Sequence, residues 1–282
     1  MLTQTILIAV MSSSYMMLLA LGFTLVFGLM RIVNFAHGEF MMIGAYATYV
    51  LTTFLGLDYF LAVPLSGLAA GLAGMLAERF VFRPFIGDEL GAMITSLALA
   101  IILQGMTMIA FSVNDLSVAR PVTGVMRVGG AVLPNDQLFV AGAALVIIVA
   151  FHMLVQHTRL GLALRAVAQD TAIARIYGIP PRIILPVGFG IGCLLAGLGG
   201  ALIAPLYTIN PYMGEAALLK AFIVVVLGGL GSLPGAMIAA LILGITDAVI
   251  SVLYNPTIAT LVSFIMVVVI LIVRPTGIAG RA

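Results

Sequence analysis

Long apolar runs separated by short polar breaks dominate this sequence. Nine such segments can be drawn, the last two divided at Tyr254-Asn-Pro256: 5–30, 40–57, 60–77, 92–113, 137–155, 183–206, 215–229, 235–253 and 257–273. A transmembrane helix needs about 20 apolar residues, whereas a membrane β-barrel shows alternation over roughly ten. The pattern therefore predicts an all-α, polytopic helical membrane protein with eight to nine hydrophobic helical segments and two related halves. We expect residues 1–282 to form a single transmembrane domain.

Composition strengthens this prediction. Hydrophobic residues make up 63% of the chain and charged residues only 8%, whereas soluble domains are about one quarter charged. The single cysteine, Cys193, excludes an intrachain disulfide. No Lys or Arg precedes the first apolar run, which continues beyond the length of a signal-peptide core, so we expect a retained first span.

The arginines are unevenly distributed when the segments are threaded alternately through a membrane with the C-terminus in the cytoplasm. Nine arginines then fall inside: Arg31, Arg79, Arg83, Arg159, Arg165, Arg175, Arg182, Arg274 and Arg281. Only Arg120 and Arg127 fall outside. Because cytoplasmic loops are enriched in Lys and Arg, this threading predicts a multi-pass membrane protein of defined orientation. Its N-terminus lies outside and its C-terminus in the cytoplasm.

Residues 156–182, which we call the basic segment, are the most polar part of the chain. Four arginines, Arg159, Arg165, Arg175 and Arg182, lie there with one acid, Asp170, and apolar residues recur three to four positions apart. This spacing is typical of one face of a short amphipathic helix, and its small residues allow close docking. Gly178, shortly before two prolines, is expected to end the helix. We interpret the segment as a cytoplasmic loop that a partner protein binds.

A second polar stretch interrupts the apolar runs near the N-terminus. Asn34, His37 and Glu39 lie between two such runs, and Gly38 allows a sharp turn or a close backbone contact. Two interpretations stay open for this stretch. It is an ordinary interfacial turn with a helix cap, or a broken helix whose polar groups line or gate a pathway.

Ionisable groups inside the predicted spans are functional candidates because their burial is costly. Asp247 lies in the eighth segment, where it lines a cavity or caps a neighbouring helix. The only lysine, Lys220, lies in the seventh segment. For Lys220 the simplest explanation is a local or interhelical ion pair.

Small residues indicate where helices approach closely. The run Gly228-Gly-Leu-Gly-Ser-Leu-Pro-Gly235 predicts a tight turn between the seventh and eighth segments, formed by Gly228, Gly229, Gly231, Ser232 and Gly235. Small residues also recur every fourth position at Gly188, Gly192, Ala196, Gly200 and Ala204. Such a stripe favours close helix packing in lipid.

The sequence lacks the motifs that ATP hydrolysis, nucleophilic catalysis and metal binding require. A Walker A loop requires G-x-x-x-x-G-K-[ST], and Lys220 stands between Leu219 and Ala221. The three histidines, His37, His152 and His157, fall in separate segments, and we find no catalytic triad or metal-ligand cluster. We expect neither an enzyme nor a chain with its own cofactor or metal, and no nucleic-acid partner. Any ATP-driven work must come from another subunit.

Three motifs together carry a family resemblance. They are Asn34-Phe-Ala-His-Gly-Glu-Phe-Met-Met-Ile-Gly-Ala-Tyr46, Leu160-Gly-Leu-Ala-Leu-Arg-Ala-Val-Ala-Gln-Asp170 with Gly178-Ile179, and Gly228-Gly-Leu-Gly-Ser-Leu-Pro-Gly-Ala236. With them the chain resembles, over nearly its whole length, the LivH-type permeases of bacterial branched-chain amino acid ABC importers. The resemblance implies the ABC importer permease fold and a location in the bacterial inner membrane. It also implies a second homologous permease, two cytoplasmic ATPases that bind ATP and Mg²⁺, and a periplasmic solute-binding protein.

The resemblance also implies roles for particular residues. The basic segment becomes the coupling element, with ATPase contacts expected at Arg159, Leu164, Arg165, Ala168, Asp170, Arg175 and Gly178. The pathway or its gate is expected to involve Asn34, His37, Gly38, Glu39 and Asp247. Similar permeases import urea, short amides or aromatic acids, so the cargo stays open. Two other classes also stay open: an ion-coupled secondary transporter that titrates Asp247 or Glu39, and a passive channel for a neutral solute.

Overall fold

The computed structural model describes residues 2–128, 131–274 and 276–279, so the predicted inside residue Arg281 lies outside the described part. Its helices are α1 (Leu2–Met30), α2 (His37–Tyr49), α3 (Tyr59–Ala77), α4 (Glu89–Phe111), α5 (Asn135–His157), α6 (Arg159–Gln169), α7 (Thr171–Ile176), α8 (Pro181–Ile203), α9 (Met213–Gly228), α10 (Leu233–Leu253) and α11 (Pro256–Val273). Short π-helical turns extend α2 over Val50–Phe54 and α3 over Glu78–Phe82, and Arg83–Phe85 forms a 3₁₀ turn. Strands β1 (Val125–Val128) and β2 (Ala131–Pro134) form an antiparallel hairpin, with Val125 opposite Pro134.

The predicted class, a polytopic helical membrane protein, is confirmed, but the predicted number of spans is slightly too high. Seven of the described helices are long and apolar enough to cross a bilayer, and α2 and α9 are not among them. The cause is visible at α2, whose first residue, His37, lies beside Leu19 in the middle of α1. Residues 31–36 return from the end of α1 into the bundle without forming a helix, and the Phe35 N–H donates to Ser96 of α4 at 3.0 Å.

The basic loops gather at one end of the bundle, which we call the basic face. Arg83 donates to the carbonyl oxygen of Arg182 at 2.7 Å, which joins the end of α3 to the start of α8. A cavity of about 340 Å³ lies between the end of α1, the start of α8 and the basic segment, and its lining includes Arg31 and Asp170. The C-terminal residues lie at the same end, since the Ile278 N–H donates to the last turn of α9.

The opposite face is built from the remaining loops. Leu116 and Ile209 exchange backbone hydrogen bonds of 2.9 and 2.8 Å, which joins the loop after α4 to the loop after α8. Arg120 pairs with Asp136 at 3.0 Å, and Tyr59 donates to the end of α8 at the Ala201 carbonyl. The loops are thus divided between the basic face and the opposite face in the way that the alternate threading predicts.

Helices α1–α4 and α8–α11 form two inverted units with the same order of elements: a long helix, a short helix and two further helices. Helix α1 ends at the basic face, where Leu29 lies against Gly188, whereas α8 begins there and runs the other way. The two long helices cross at Gly22 and Gly192, where a β carbon on Gly192 would lie 2.8 Å from the Gly22 carbonyl oxygen. This arrangement fits the expectation of two related halves, and it is the inverted-repeat plan of many transporters.

Candidate functional site

The two short helices begin with the same six-residue pattern, Asn-x-x-x-Gly-Glu, at residues 34–39 and 210–215. In both copies the asparagine side-chain oxygen accepts the backbone N–H two residues later, at 3.0 Å from Ala36 and 3.1 Å from Tyr212. Both asparagine carbonyl oxygens also accept the N–H of the first helical residue, at 3.1 and 3.2 Å. A repeated cap therefore starts α2 and α9 in the same way.

The N-termini of α2 and α9 meet in the interior of the bundle. A β carbon at Gly214 would lie 2.8 Å from the Gly38 carbonyl oxygen, and one at Gly38 would overlap the Gly214 carbonyl. From this contact α2 runs towards the opposite face, where Tyr46 packs against Phe111. Helix α9 runs towards the basic face, where the turn after it lies beside the end of α1: a β carbon at Gly28 would lie 3.9 Å from the Gly231 α carbon. The two helices are thus half-helices that share one starting point.

A polar cluster stands at this meeting point, and we call Glu39 and Glu215 the carboxylate pair. Each is the third residue of its half-helix, where the backbone N–H groups favour negative charge. The side-chain nitrogen of Gln104 donates to both, at 3.0 Å to Glu39 Oε1 and 3.1 Å to Glu215 Oε1. Glu39 is only 1% exposed, whereas Glu215 is exposed. The cluster therefore extends from the bundle interior, at Glu39, to the exposed surface of α9, at Glu215.

Three buried polar atoms around the start of α2 have no hydrogen-bond partner in the described part of the chain: Asn34 Nδ2, His37 Nδ1 and Glu39 Oε2. The other ring nitrogen of His37 lies 3.3 Å from the Leu19 carbonyl oxygen, so it carries the proton in this contact. Buried polar groups are nearly always partnered. Sequence reasoning selected Asn34, His37, Gly38 and Glu39, and the structure places all four at the half-helix junction.

Sequence reasoning missed the second half of this cluster. Neither Glu215 nor Gln104 was selected as a site residue. The repeated Asn-x-x-x-Gly-Glu pattern is a signal that could have found Glu215. No local signal points to Gln104, because its partners are 65 and 111 residues away in sequence.

Asp247 lies away from this cluster and forms an ion pair with Lys220. Lys220 Nζ on α9 and Asp247 Oδ2 on α10 are 3.1 Å apart, with side-chain exposures of 29% and 13%. The predicted interhelical ion pair for Lys220 is confirmed. The same contact gives Asp247 a structural partner in place of the helix cap considered above.

We expect Asp247→Ala to lower the thermal unfolding midpoint of the purified protein, because it leaves the Lys220 ammonium without its partner in a largely apolar environment. The cost is about 1–3 kcal/mol, less than for a fully buried pair because both side chains keep some exposure. The double substitution K220M/D247L should recover most of the midpoint. A double variant as unstable as D247A would show that the pair does not explain the loss.

The basic segment forms two helices, α6 and α7, and the single amphipathic helix predicted for it is wrong. The break falls at Asp170, whose carboxylate accepts the N–H groups of Ala172 and Ile173 at 2.8 and 2.9 Å and so caps α7. An aspartate cap competes with helix continuation. Gly178, with a positive φ of 81°, follows the end of α7.

The two helices present a buried face and an exposed face. Leu164, only 1% exposed, packs inward beside Gly188, together with Val167 and Ala174. Of the predicted ATPase contacts, Arg159, Asp170, Arg175 and Gly178 are exposed, Arg165 and Ala168 are partly buried, and Arg165 donates to Gln156 at 2.9 Å. The exposed face also presents the large side chains of Ile176 and Tyr177, which are 83% and 81% exposed.

Substitutions at Asp170 distinguish the effect of its capping hydrogen bonds from the effect of its negative charge. We expect Asp170→Ala to speed hydrogen exchange at the Ala172 and Ile173 amides, because losing a cap costs about 1 kcal/mol. Asp170→Asn should leave exchange nearly unchanged, since asparagine caps equally well. Equal acceleration in both variants would show that the charge of Asp170 matters and its cap does not.

The glycine-rich run forms the turn between α9 and α10 at the basic face. Gly228 ends α9, Gly229 and Gly231 adopt positive φ of 101° and 82°, and Ser232 caps α10 by accepting the Gly235 N–H at 3.2 Å. Gly228 and Gly235 are in contact, and a β carbon on Gly235 would overlap the Gly228 carbonyl. These five residues hold α9 and α10 close beside the end of α1.

Comparison with known proteins points to one family. Residues 5–272 match the family described as branched-chain amino acid transport system / permease component. The chain is 33% identical over 279 residues to the high-affinity branched-chain amino acid transport system permease protein LivH of Escherichia coli (strain K12), covering 94% of this chain and 91% of that protein. The corresponding protein BraD of Pseudomonas aeruginosa gives the same identity and coverage. Identity to LivM of E. coli is 29% over 266 residues, covering 85% of this chain and 62% of LivM.

Proposed function

Since the chain belongs to the family of branched-chain amino acid transport permease components, we propose that it is a transmembrane permease subunit of an ATP-driven ABC importer for branched-chain amino acids. Support for the cargo comes from LivH and BraD, which are named for branched-chain amino acid transport and match nearly the full chain. Urea, short amides and aromatic acids are the alternative cargoes for the same architecture.

The proposed assembly contains a second, homologous permease, and the similarity to LivM supports this pairing. Two cytoplasmic ATPases bind ATP and Mg²⁺ and dock on the basic face, and a periplasmic solute-binding protein delivers cargo to the opposite face. The distribution of arginines supports this orientation in the inner membrane, with the N-terminus outside and the C-terminus in the cytoplasm.

The observation that carries the proposal is the amphipathic construction of α6 and α7. Leu164 and Val167 anchor α6 to the bundle, while Ile176 and Tyr177 remain exposed at a basic face. An exposed apolar group among arginines is typical of a protein-docking surface. This surface is the proposed coupling element for the ATPases.

Movement of the basic segment has a direct route to the half-helices. Leu164 of α6 contacts α8 at Gly188, and α8 crosses α1 at Gly192. Further along, α8 contacts α2, where a β carbon at Gly200 would overlap the Met41 carbonyl. We propose that ATPase closure displaces α6, shifts α8 and changes the contact between α2 and α9, which opens the pathway towards one side at a time.

The test is a pull-down of the tagged chain coexpressed with the ATPases of the proposed importer. We expect the ATPases to copurify with the wild-type chain and to be lost with the exposed charge reversal Arg175→Glu. The matched control is Asp115→Arg, an exposed charge reversal on the opposite face. If the chain purifies without an ATPase, or if both variants retain it equally, the basic face is not the docking site.

A further inference from the structure

Glu39 is buried at the junction of the half-helices with only half of its carboxylate partnered. Oε1 accepts from Gln104, whereas Oε2 has no hydrogen-bond partner among the described residues. Oε2 faces the N-terminus of α9, where a β carbon at Gly214 would lie 2.8 Å from it. A buried carboxylate oxygen is costly without a donor, so this atom points to a ligand with N–H groups to supply.

The position of Gln104 shows where a ligand nitrogen fits. Its amide nitrogen lies 3.0 Å from Glu39 Oε1 and 3.1 Å from Glu215 Oε1, between the two carboxylates. A neutral amide brings two donors and no charge to this position, whereas a primary ammonium brings three donors and a positive charge. An ammonium also gains Coulombic attraction to both carboxylates, which a neutral amide does not. The carboxylate pair therefore binds an ammonium group more strongly than the Gln104 amide that now lies between the two carboxylates.

The surroundings of the carboxylate pair are apolar. Leu219 lies one helical turn beyond Glu215 on α9 and is exposed. Met108 lies one turn beyond Gln104 on α4, and its sulfur accepts from the Tyr212 hydroxyl at 3.8 Å. A ligand nitrogen between the carboxylates would thus have an apolar surface within one helical turn on either side. That combination suits a small molecule with an ammonium group and a hydrocarbon side chain.

We propose that Glu39 and Glu215 bind the α-ammonium group of the transported amino acid. In the absence of cargo, the side-chain amide of Gln104 occupies the position of this ammonium group. On binding, the ammonium takes the place of the Gln104 amide, and the released amide N–H groups become available to the α-carboxylate of the same molecule. Leu219 and Met108 lie beside its hydrocarbon side chain. This inference rests on the proposed function and adds the group of the cargo that the pathway recognises.

The experiment uses the complete complex in proteoliposomes, with L-leucine as cargo and two competitors of equal length, isoamylamine and isoamyl alcohol. We expect the amine to inhibit ATP-driven leucine uptake by the wild-type complex and the alcohol to have no effect at the same concentration. Glu215→Gln should lower uptake about tenfold and remove the inhibition by the amine, because the ammonium loses one of the two negative charges that attract it. Glu215→Asp should retain part of both.

Three controls separate an effect at the carboxylate pair from effects elsewhere in the complex. Glu89→Gln changes an exposed acid at the other end of α4 and should leave uptake and amine inhibition unchanged. Leucine binding to the isolated periplasmic protein, measured with and without the amine, excludes an effect at delivery. Cargo-independent ATP hydrolysis should be the same in Glu215→Gln and the wild type, which shows that the variant complex is folded and assembled.

The inference is overturned if the amine and the alcohol inhibit equally, or if Glu215→Gln transports leucine as the wild type does. Either result would give the carboxylate pair a structural role only, joining α2, α4 and α9. No ATP-driven leucine uptake by the wild-type complex would contradict the proposed function itself, and the inference would fall with it.

Discussion

Replacing Gly38 by alanine is expected to lower transport at least tenfold relative to the wild type and to reduce the amount of folded protein strongly. The new methyl group would overlap the Gly214 carbonyl and lie 2.9 Å from the Leu218 β carbon, and neither belongs to a flexible side-chain end. Overpacking of this kind costs about 1–3 kcal/mol even where neighbours adjust. Here it falls on the contact that holds the two half-helices together. The measurements are the yield of monodisperse complex and the rate of ATP-driven uptake.

Gly142→Ala is the matched control for this substitution. Gly142 lies in α5, and a β carbon there would meet no other atom within 4 Å. Alanine is the better helix former, so this variant should fold and transport at least as well as the wild type. Gly214→Ala should behave like Gly38→Ala, since the contact is reciprocal. A Gly38→Ala complex that assembles and transports like Gly142→Ala would show that the half-helix contact is dispensable.

The second large effect is expected at the exposed end of the basic segment. The double substitution I176A/Y177A removes two large side chains that project from the basic face. Truncating a central residue of a protein interface commonly costs 2 kcal/mol or more, which is about thirtyfold in affinity. We expect the ATPases to bind at least tenfold more weakly and ATP-driven uptake to fall in proportion, while the permease itself stays folded.

The control for this pair is Ile272→Ala in α11, a similarly exposed apolar residue that is 77% exposed but lies in a predicted span. This variant should bind the ATPases like the wild type. Titration of purified ATPase onto immobilised permease complex gives the affinities directly. Equal affinities for wild type and I176A/Y177A would show that the ATPases dock elsewhere.

The apolar pattern predicted most of the helices because the membrane demands it. An uninterrupted apolar run has one stable solution in lipid, a helix that satisfies its own backbone, and each of the nine segments contains one. The end of the basic segment was also predictable, because Gly178 and the prolines after it act locally. The stripe that includes Gly188, Gly192 and Gly200 marks helix contacts, as expected from small residues alone.

The half-helices were not predictable from hydropathy. An apolar segment that starts in the middle of a membrane has the same composition as one that crosses it, and only contacts such as His37 with Leu19 distinguish the two. The break at Asp170 was missed because the apolar spacing continues across it. The local signal, an aspartate followed by Thr171, marks a helix N-terminus without showing that one helix has just ended.

The polar cluster depends on tertiary structure in the same way. Glu39 was found because it interrupts an apolar run, whereas Gln104 lies within a run that reads as an ordinary span. Their contact exists only because α4 packs beside the junction of α2 and α9. The inverted repeat explains why the cluster has two carboxylates, since each half of the chain contributes one at the start of its own half-helix.

The central claim is that this chain forms the pathway of an ATP-driven importer and has no driving reaction of its own. The most direct test is uptake of radiolabelled leucine into proteoliposomes, comparing the complete complex with this chain reconstituted alone. We predict uptake only with the partner permease, the two ATPases, the binding protein and ATP, and no dependence on a proton or sodium gradient. Uptake by the chain alone, either down a leucine gradient or driven by an ion gradient, would contradict the account.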